Sequence, residues 1–252
     1  MSGLVIQQRL SDQKTSTLKR PYSYGPYNVI RGQKQAIRLT EGCVWNCPNY
    51  HEPTTIKIFD IPKIECNEVL IFDMNLLCKP QAFDLIMQLG KITVKDEPVV
   101  YELVCGIDYR FLTLDLAYAL FKSRFGYVGF DNKQHIGNRT IRLAWDGKFG
   151  EQRRIKKTIG MLNAAGYKPK DIMMFIQCNY SICSYEECLK KLDLLKVWGC
   201  RVCDCYYDGQ IGSNIKPIFW SKEQITSFRA KCRKHNQLVN FGIDPEVKEA
   251  FV

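Results

Sequence analysis

The segment Thr40-Glu-Gly-Cys-Val-Trp-Asn-Cys-Pro-Asn-Tyr-His-Glu-Pro53 concentrates the side chains best suited to chemistry in this 252-residue chain. Cys43 and Cys47 lie four positions apart, close enough for one loop to hold an iron–sulfur cluster with both thiolates. Gly42 and Pro48 suit a loop that wraps a compact object. Spacing alone is equally compatible with two buried thiols in an ordinary loop. The chain holds twelve cysteines in all. With no export signal and a length that needs no staples, reduced core thiols and metal-bound thiolates are the expected uses, rather than disulfides. Cys200-x2-Cys203 has the spacing of a zinc site that Cys183 or Cys188 could complete. Against that, Cys203 and Cys205 alternate along a strand as small core residues do, and Cys188 falls within a helix beside Leu189. Cys66, Cys78, Cys105 and Cys232 are scattered and read as structural, and Cys178 precedes the same helix. The three histidines, His51, His135 and His235, identify no general acid or base.

Composition bounds what these residues can be part of. Apolar residues make up 46% and charged residues 25%, enough for a sizeable core, which excludes disordered, collagenous and low-complexity classes. No run approaches the roughly 18 apolar residues of a membrane span. The N-terminal MSGLVIQQRLSDQK lacks a charged-then-apolar signal, so a soluble, cytoplasmic protein is expected. The net charge of +10 is unevenly distributed: residues 1–35 carry +5, 148–170 carry +6 and 216–235 carry +5, leaving −6 for the rest. Three basic segments fit a polyanionic partner such as nucleic acid, or a solvated face with a basic tail.

The elements that must position the cysteine loop follow from periodicity. Six β-branched, apolar runs read as strands: Ala36–Thr40, Val69–Phe72, Val99–Val104, Thr140–Trp145, Ile172–Ile176 and Val202–Tyr206. They recur at the spacing of one strand–helix unit. Between them, helices have recognisable ends: Pro80 to Gly90; Thr113 to Arg124; a basic helix from about 150 to Gly166; Ser184-Tyr-Glu-Glu187, a capping box, to Gly199; and a second box, Ser221-Lys-Glu-Gln224, opening the last helix. Alternation with short connections implies a parallel sheet with right-handed crossovers, either an open partial barrel or a doubly wound sheet. In both, ligands sit at the carboxyl ends of the strands, where the cysteine loop hangs. Phe125–Arg139 has the size of an insertion. Residues 1–35 read as a basic, aromatic arm, 36–210 as the α/β body and 211–252 as a helical extension.

The cysteine loop resembles the cluster loop of radical S-adenosylmethionine (SAM) enzymes, in which Cys-x3-Cys-x2-Cys follows the first strand of a partial (β/α)6 barrel. Further segments resemble strand ends of the methylthiotransferase-like and cobalamin-associated branches: Ile71-Phe-Asp-Met-Asn-Leu-Leu, Cys105-Gly-Ile-Asp-Tyr-Arg-Phe-Leu-Thr113, Arg142-Leu-Ala-Trp-Asp146 and Phe175-Ile-Gln-Cys-Asn179. The resemblance covers about Arg31–Gln210 and includes no cobalamin domain. It departs at the third cysteine, where this chain has Tyr50. The third ligand is then Tyr50, the neighbouring His51 or a distant cysteine, unless the site lacks one.

The resemblance implies an α/β fold of the partial (β/α)6 type, with a parallel sheet and helices outside. It implies a 4Fe–4S cluster on Cys43, Cys47 and the position of Tyr50, with SAM across the strand ends. Reduction by a donor such as flavodoxin or ferredoxin would cleave SAM to a 5′-deoxyadenosyl radical, for hydrogen abstraction or group transfer on an unknown substrate. Asp73 and Asn75 would meet the SAM amino group, or else cap the following turn. Arg110 would face its carboxylate, or pair with Asp108 or Asp115. Asn179 would contact ribose or adenine, or shape a helix entry. Asp146 reads as a cap for the turn at Gly147. The alternative is a catalytically degenerate protein on this scaffold that binds nucleic acid through the basic segments.

Overall fold

The computed structural model describes residues 25–45, 52–128, 139–179, 183–206 and 219–242. Strands β1 (Tyr27–Arg31), β2 (Lys34–Arg38), β3 (Thr40–Glu41), β4 (Lys57–Ile58) and β5 (Glu68–Ile71) come first. Helix α1 (Ala82–Leu89), the short pair β6 (Thr93–Val94) and β7 (Glu97–Pro98), then β8 (Val100–Leu103) and β9 (Ile107–Asp108) follow. The rest is α2 (Leu114–Lys122), β10 (Ile141–Trp145), α3 (Gln152–Ala165), β11 (Ile172–Cys178), α4 (Tyr185–Trp198), β12 (Arg201–Tyr206) and α5 (Lys222–Phe241). All six expected strands form, within two residues of their sequence limits.

The result is a mixed α/β protein with parallel sheets. In one sheet β2, β5 and β8 lie side by side and parallel; in the other β9, β10, β11 and β12 do the same. Neighbours follow chain order with no reversal within either sheet, unlike a doubly wound sheet, whose order turns back at a switch point. The third strand path serves both sheets. Its first half, β8, pairs with β5 and on its other side meets Phe125 and Gly126, whose N–H donates to Tyr101 O at 2.7 Å. At Cys105-Gly106 it bends, with Gly106 at φ +81°, and its second half, β9, pairs with β10. That break, absent from any hydrophobic pattern, lies just beyond the expected run Val99–Val104 and adds β9 to it.

The helices have the expected ends. Thr113 accepts the N–H of Leu116 through its side chain, and Ser184 and Ser221 form reciprocal capping boxes with Glu187 and Gln224. Helix α1 begins at Ala82 rather than at Pro80, because residues 76–78 form a separate 3-10 turn. Its apolar stripe Ala82, Leu85, Ile86 and Leu89 is buried, as are Ile155, Ile159 and Leu162 of α3. These stripes pack against the strand residues of one sheet face, Ile37, Ile71, Leu143 and Met174 among them. Fully removing such a side chain from water is worth about 1.5–3 kcal/mol.

The opposite face of the strands is polar at its base. Lys34 lies 3.6 Å from Glu68 and donates to Val128 O, while Arg142 pairs with Glu102, which also accepts the Val128 N–H. All four charged side chains are buried, which only such pairing permits.

Residues 27–31 form an antiparallel hairpin with β2, and Tyr27 packs edge-on to Phe72. Helix α5 is packed on β12: the Asn236 side chain both accepts the Val202 N–H and donates to Val202 O. Among the described residues no helix is long and apolar enough to cross a membrane.

Candidate functional site

The stem of the cysteine loop is built by backbone pairing. Thr40 and Glu41 pair antiparallel with Ile58 and Lys57, and Cys43 N donates to Pro53 O at 2.9 Å. Gly42 makes this possible: its φ is +90°, and a Cβ there would stand 2.3 Å from Thr55 O. Cys43 is consequently held, fully buried, at the carboxyl end of the first parallel strand. Cys47, Tyr50 and His51 lie outside the described residues, as does His135.

Three neighbours converge on Cys43. Asn75 Nδ2 is 3.7 Å from its sulfur, and Asn75 Oδ1 is buried with no hydrogen-bond partner among the described residues. Cys78 is the second. Its thiol hydrogen-bonds with Cys43, and this contact, followed by burial, pushes the Cys78 thiol far above the ordinary thiol range. Cys78 Sγ also lies 3.1 Å from Asn75 O. Lys79 is the third: its buried ammonium donates to Gly42 O and reaches Cys78 Sγ at 3.5 Å.

Asp73 is engaged by protein. One carboxylate oxygen accepts the Leu39 N–H and the other the Thr40 hydroxyl, both at 2.8 Å, tying the end of β5 to the end of β2. Burial nonetheless pushes its pKa up to about 6. Arg110 takes the ion pair that its sequence neighbourhood allowed. Its Nε and Nη2 donate to Asp108 at 2.7 and 2.9 Å, and its guanidinium lies 4.0 Å over the Trp45 ring. Asp108 also accepts from Trp45 Nε1 at 2.8 Å and Asn75 Nδ2 at 3.1 Å, so one carboxylate links the loop to two strand ends. Asn179, in the left-handed region at φ +51°, accepts the N–H groups of Phe219 and Trp220, which immediately precede the cap of α5.

At the end of β10, burial raises the pKa of Asp146. The turn that it was expected to cap is served instead by Lys191, whose buried ammonium donates to Trp145 O and Gly147 O. The zinc-like set does not assemble. Cys203 and Cys205 pack with Phe175 on one side of the sheet, whereas Cys183, Cys188 and Cys200 belong to the helix-side core. Among the described residues no group of three or more Cys, His, Asp or Glu converges to hold a metal ion.

Sequence reasoning missed Cys78, Lys79, Trp45 and Asp108 as parts of one arrangement. The signal for Cys78-Lys79 was position: they follow Asn75 by three and four residues, beyond the end of β5, but the expected helix start at Pro80 left them unassigned. On α3, Arg153, Arg154, Lys156 and Lys157 are exposed. Arg154 and Lys157 join Arg110 in lining a groove of about 450 Å3. In comparisons with known proteins, the chain matches no protein-family model and no curated sequence.

Proposed function

We propose that this protein is a radical SAM enzyme whose fold is a partial (β/α)6 barrel. The observation that carries the reading is the seating of Cys43: a buried thiol, at the carboxyl end of the first of several parallel strands in chain order, on a stem closed by backbone pairing. The donor chemistry fits an iron–sulfur cluster, because N–H groups of Asn75 and Lys79 point at sulfur atoms, and such donors stabilise thiolate ligands. When bound, the cluster would supply an electron to SAM and so generate a carbon radical at a substrate that remains unassigned. The chain's own residues would hold and orient. Cys43, Cys47 and a third ligand at or replacing Tyr50 would bind the cluster. Asn75 Oδ1, buried and without a partner, would accept from the SAM amino group. Asp73 would fix the two strand ends between which that group lies, and Arg110 and Asn179 would shape the rim through Asp108 and the Phe219–Trp220 backbone. An electron donor such as flavodoxin or ferredoxin would be required.

Anaerobic reconstitution with iron and sulfide, then incubation with SAM and dithionite, tests this. The expected result is a brown protein that releases 5′-deoxyadenosine; a colourless protein that leaves SAM intact refutes it. A second reading, a degenerate scaffold that binds nucleic acid, is favoured by the exposed cations of α3 and the groove they share with Arg110. Salt-sensitive RNA or DNA binding by a colourless protein would select it.

A further inference from the structure

The groove beside α3 collects positive charge that nothing in the fold uses. Arg154, Lys157, Thr158 and Met161 recur at the i, i+3, i+4, i+7 spacing of a single helix face, and all four line the groove. Its other wall is the turn after β9 and the start of α2, with Arg110, Leu112 and Leu114. Arg154 and Lys157 are exposed, and among the described residues neither makes an ion pair. Arg110 differs: Asp108 takes its Nε and Nη2, and the Trp45 ring supports its plane, so the guanidinium is fixed with its charge already balanced. No carboxylate lines the groove. Asp115, in the first turn of α2, lines a separate groove with Lys79 and Lys122, and the Glu151 carboxylate packs against Gly147. The charges of Arg154 and Lys157 therefore remain uncompensated.

We propose that this groove binds a small phosphate monoester. A monoester carries about −1.5 to −2 charge at pH 7, which matches the two surplus cations, whereas each phosphate of a nucleic-acid backbone carries a single charge. Arg154 offers a planar fork of donors and Lys157 a point charge. The backbone adds to them. Thr113 takes the Leu116 N–H with its side chain and the Ala117 N–H with its carbonyl, which leaves the N–H groups of Leu114 and Asp115 without a partner inside the helix, at the positive end of its dipole. Leu114 is 43% exposed, and with Leu112 and Met161 it gives the organic body of the ligand an apolar surface to lie on. A volume of about 450 Å3 suits one small molecule. The ligand is thus a phosphorylated small molecule with an apolar or aromatic body, of which a nucleoside 5′-monophosphate is the test case. This site needs neither cluster nor SAM, so it does not rest on the radical SAM reading. It goes beyond the nucleic-acid reading by assigning the groove rather than the whole charged face of α3.

Isothermal titration calorimetry on the full chain tests this, with a nucleoside 5′-monophosphate, its methyl diester and the unphosphorylated nucleoside as probes. The monophosphate should bind, the diester should bind more weakly, and the nucleoside should give no binding heat. Arg154→Ala and Lys157→Ala should each weaken the monophosphate about tenfold, the usual loss for one hydrogen bond to a charged group. Arg153→Ala and Lys156→Ala remove the same charge from α3 outside the groove and should leave the affinity nearly unchanged. All four side chains are exposed, and circular dichroism confirms that each variant folds. Equal losses from all four variants would mean a diffuse field of helix charge rather than a site, and would overturn the inference. A diester that binds as tightly as the monophosphate would also overturn it. If the monophosphate does not bind but an oligonucleotide does, the inference fails while the nucleic-acid reading stands.

Discussion

At Asp73 two effects oppose each other. Hydrogen bonds from Leu39 and Thr40 favour the carboxylate, and burial, which is larger, favours the acid, leaving the pKa at about 6 against 3.8 in a free chain. Between those values the folded protein holds a proton that the unfolded chain releases, so this residue's contribution to stability falls as pH rises from about 4 to 6. Asp73→Asn keeps an acceptor for Leu39 and a donor for the Thr40 oxygen but does not titrate. Relative to the parent, the variant should gain up to about 3 kcal/mol between pH 4 and pH 7, at about 1.4 kcal/mol per pKa unit. Urea unfolding at a series of pH values measures this, and parallel profiles would remove the assignment. Asp108 makes a second residue-level prediction. Its carboxylate holds Trp45, Asn75 and Arg110 together, so Asp108→Ala should free the indole. Acrylamide should then quench the tryptophan emission more strongly, and an unchanged spectrum would mean that the Arg110 contact alone retains the ring.

The packing of α5 on β12 is the element on which pH acts in the opposite sense. His235 is buried, and its Nε2 donates to Cys200 O at 2.7 Å. Its Nδ1 has no partner among the described residues, so a second proton would be left without an acceptor. Burial first, then the nearby Lys196 charge, lower its pKa below the usual 6.5, against the bond to Cys200 that raises it. Below about pH 6.5 the unfolded chain therefore takes up a proton that the folded one resists, and stability is lost as the pH falls toward the folded-state pKa. His235→Gln should flatten the profile just below pH 6.5, and its sensitivity there should disappear from hydrogen exchange of α5 amides. A variant that loses stability equally at pH 5 and pH 8 would show that the ring matters only for packing. The two sites can be read separately, because their slopes differ in sign and each variant removes only one of them.

For the molecule as a whole, the charge distribution makes the prediction. Arg153, Arg154, Lys156 and Lys157 all project from α3 into solvent, while the helix buries Ile155, Thr158 and Ile159 between them. If this face contacts phosphates, the logarithm of the binding constant falls against the logarithm of salt with a slope of roughly −0.9 per phosphate neutralised. Reversing charge at Arg153 and Arg154 should flatten that slope by about one to two, as measured by fluorescence anisotropy with a labelled oligonucleotide. Absence of binding at low salt would remove nucleic acid as a partner of this face.

The sequence by itself determined the alternation of strands and helices, the caps at Thr113, Ser184 and Ser221, and the placing of Cys43 beyond the first parallel strand. Those features are local: side-chain periodicity, capping chemistry and glycine at a helix end act within a few residues. Only the tertiary structure decided what has no local signature. The bend at Gly106 depends on the pairing of β9 with β10 and of β8 with Phe125–Gly126. The separation of Cys203 and Cys205 from the other thiols depends on which sheet face each side chain takes. The meeting of Cys43 with Cys78, thirty-five residues later, depends on β2 and β5 lying side by side, and no spacing rule joins residues whose proximity is set by strand pairing.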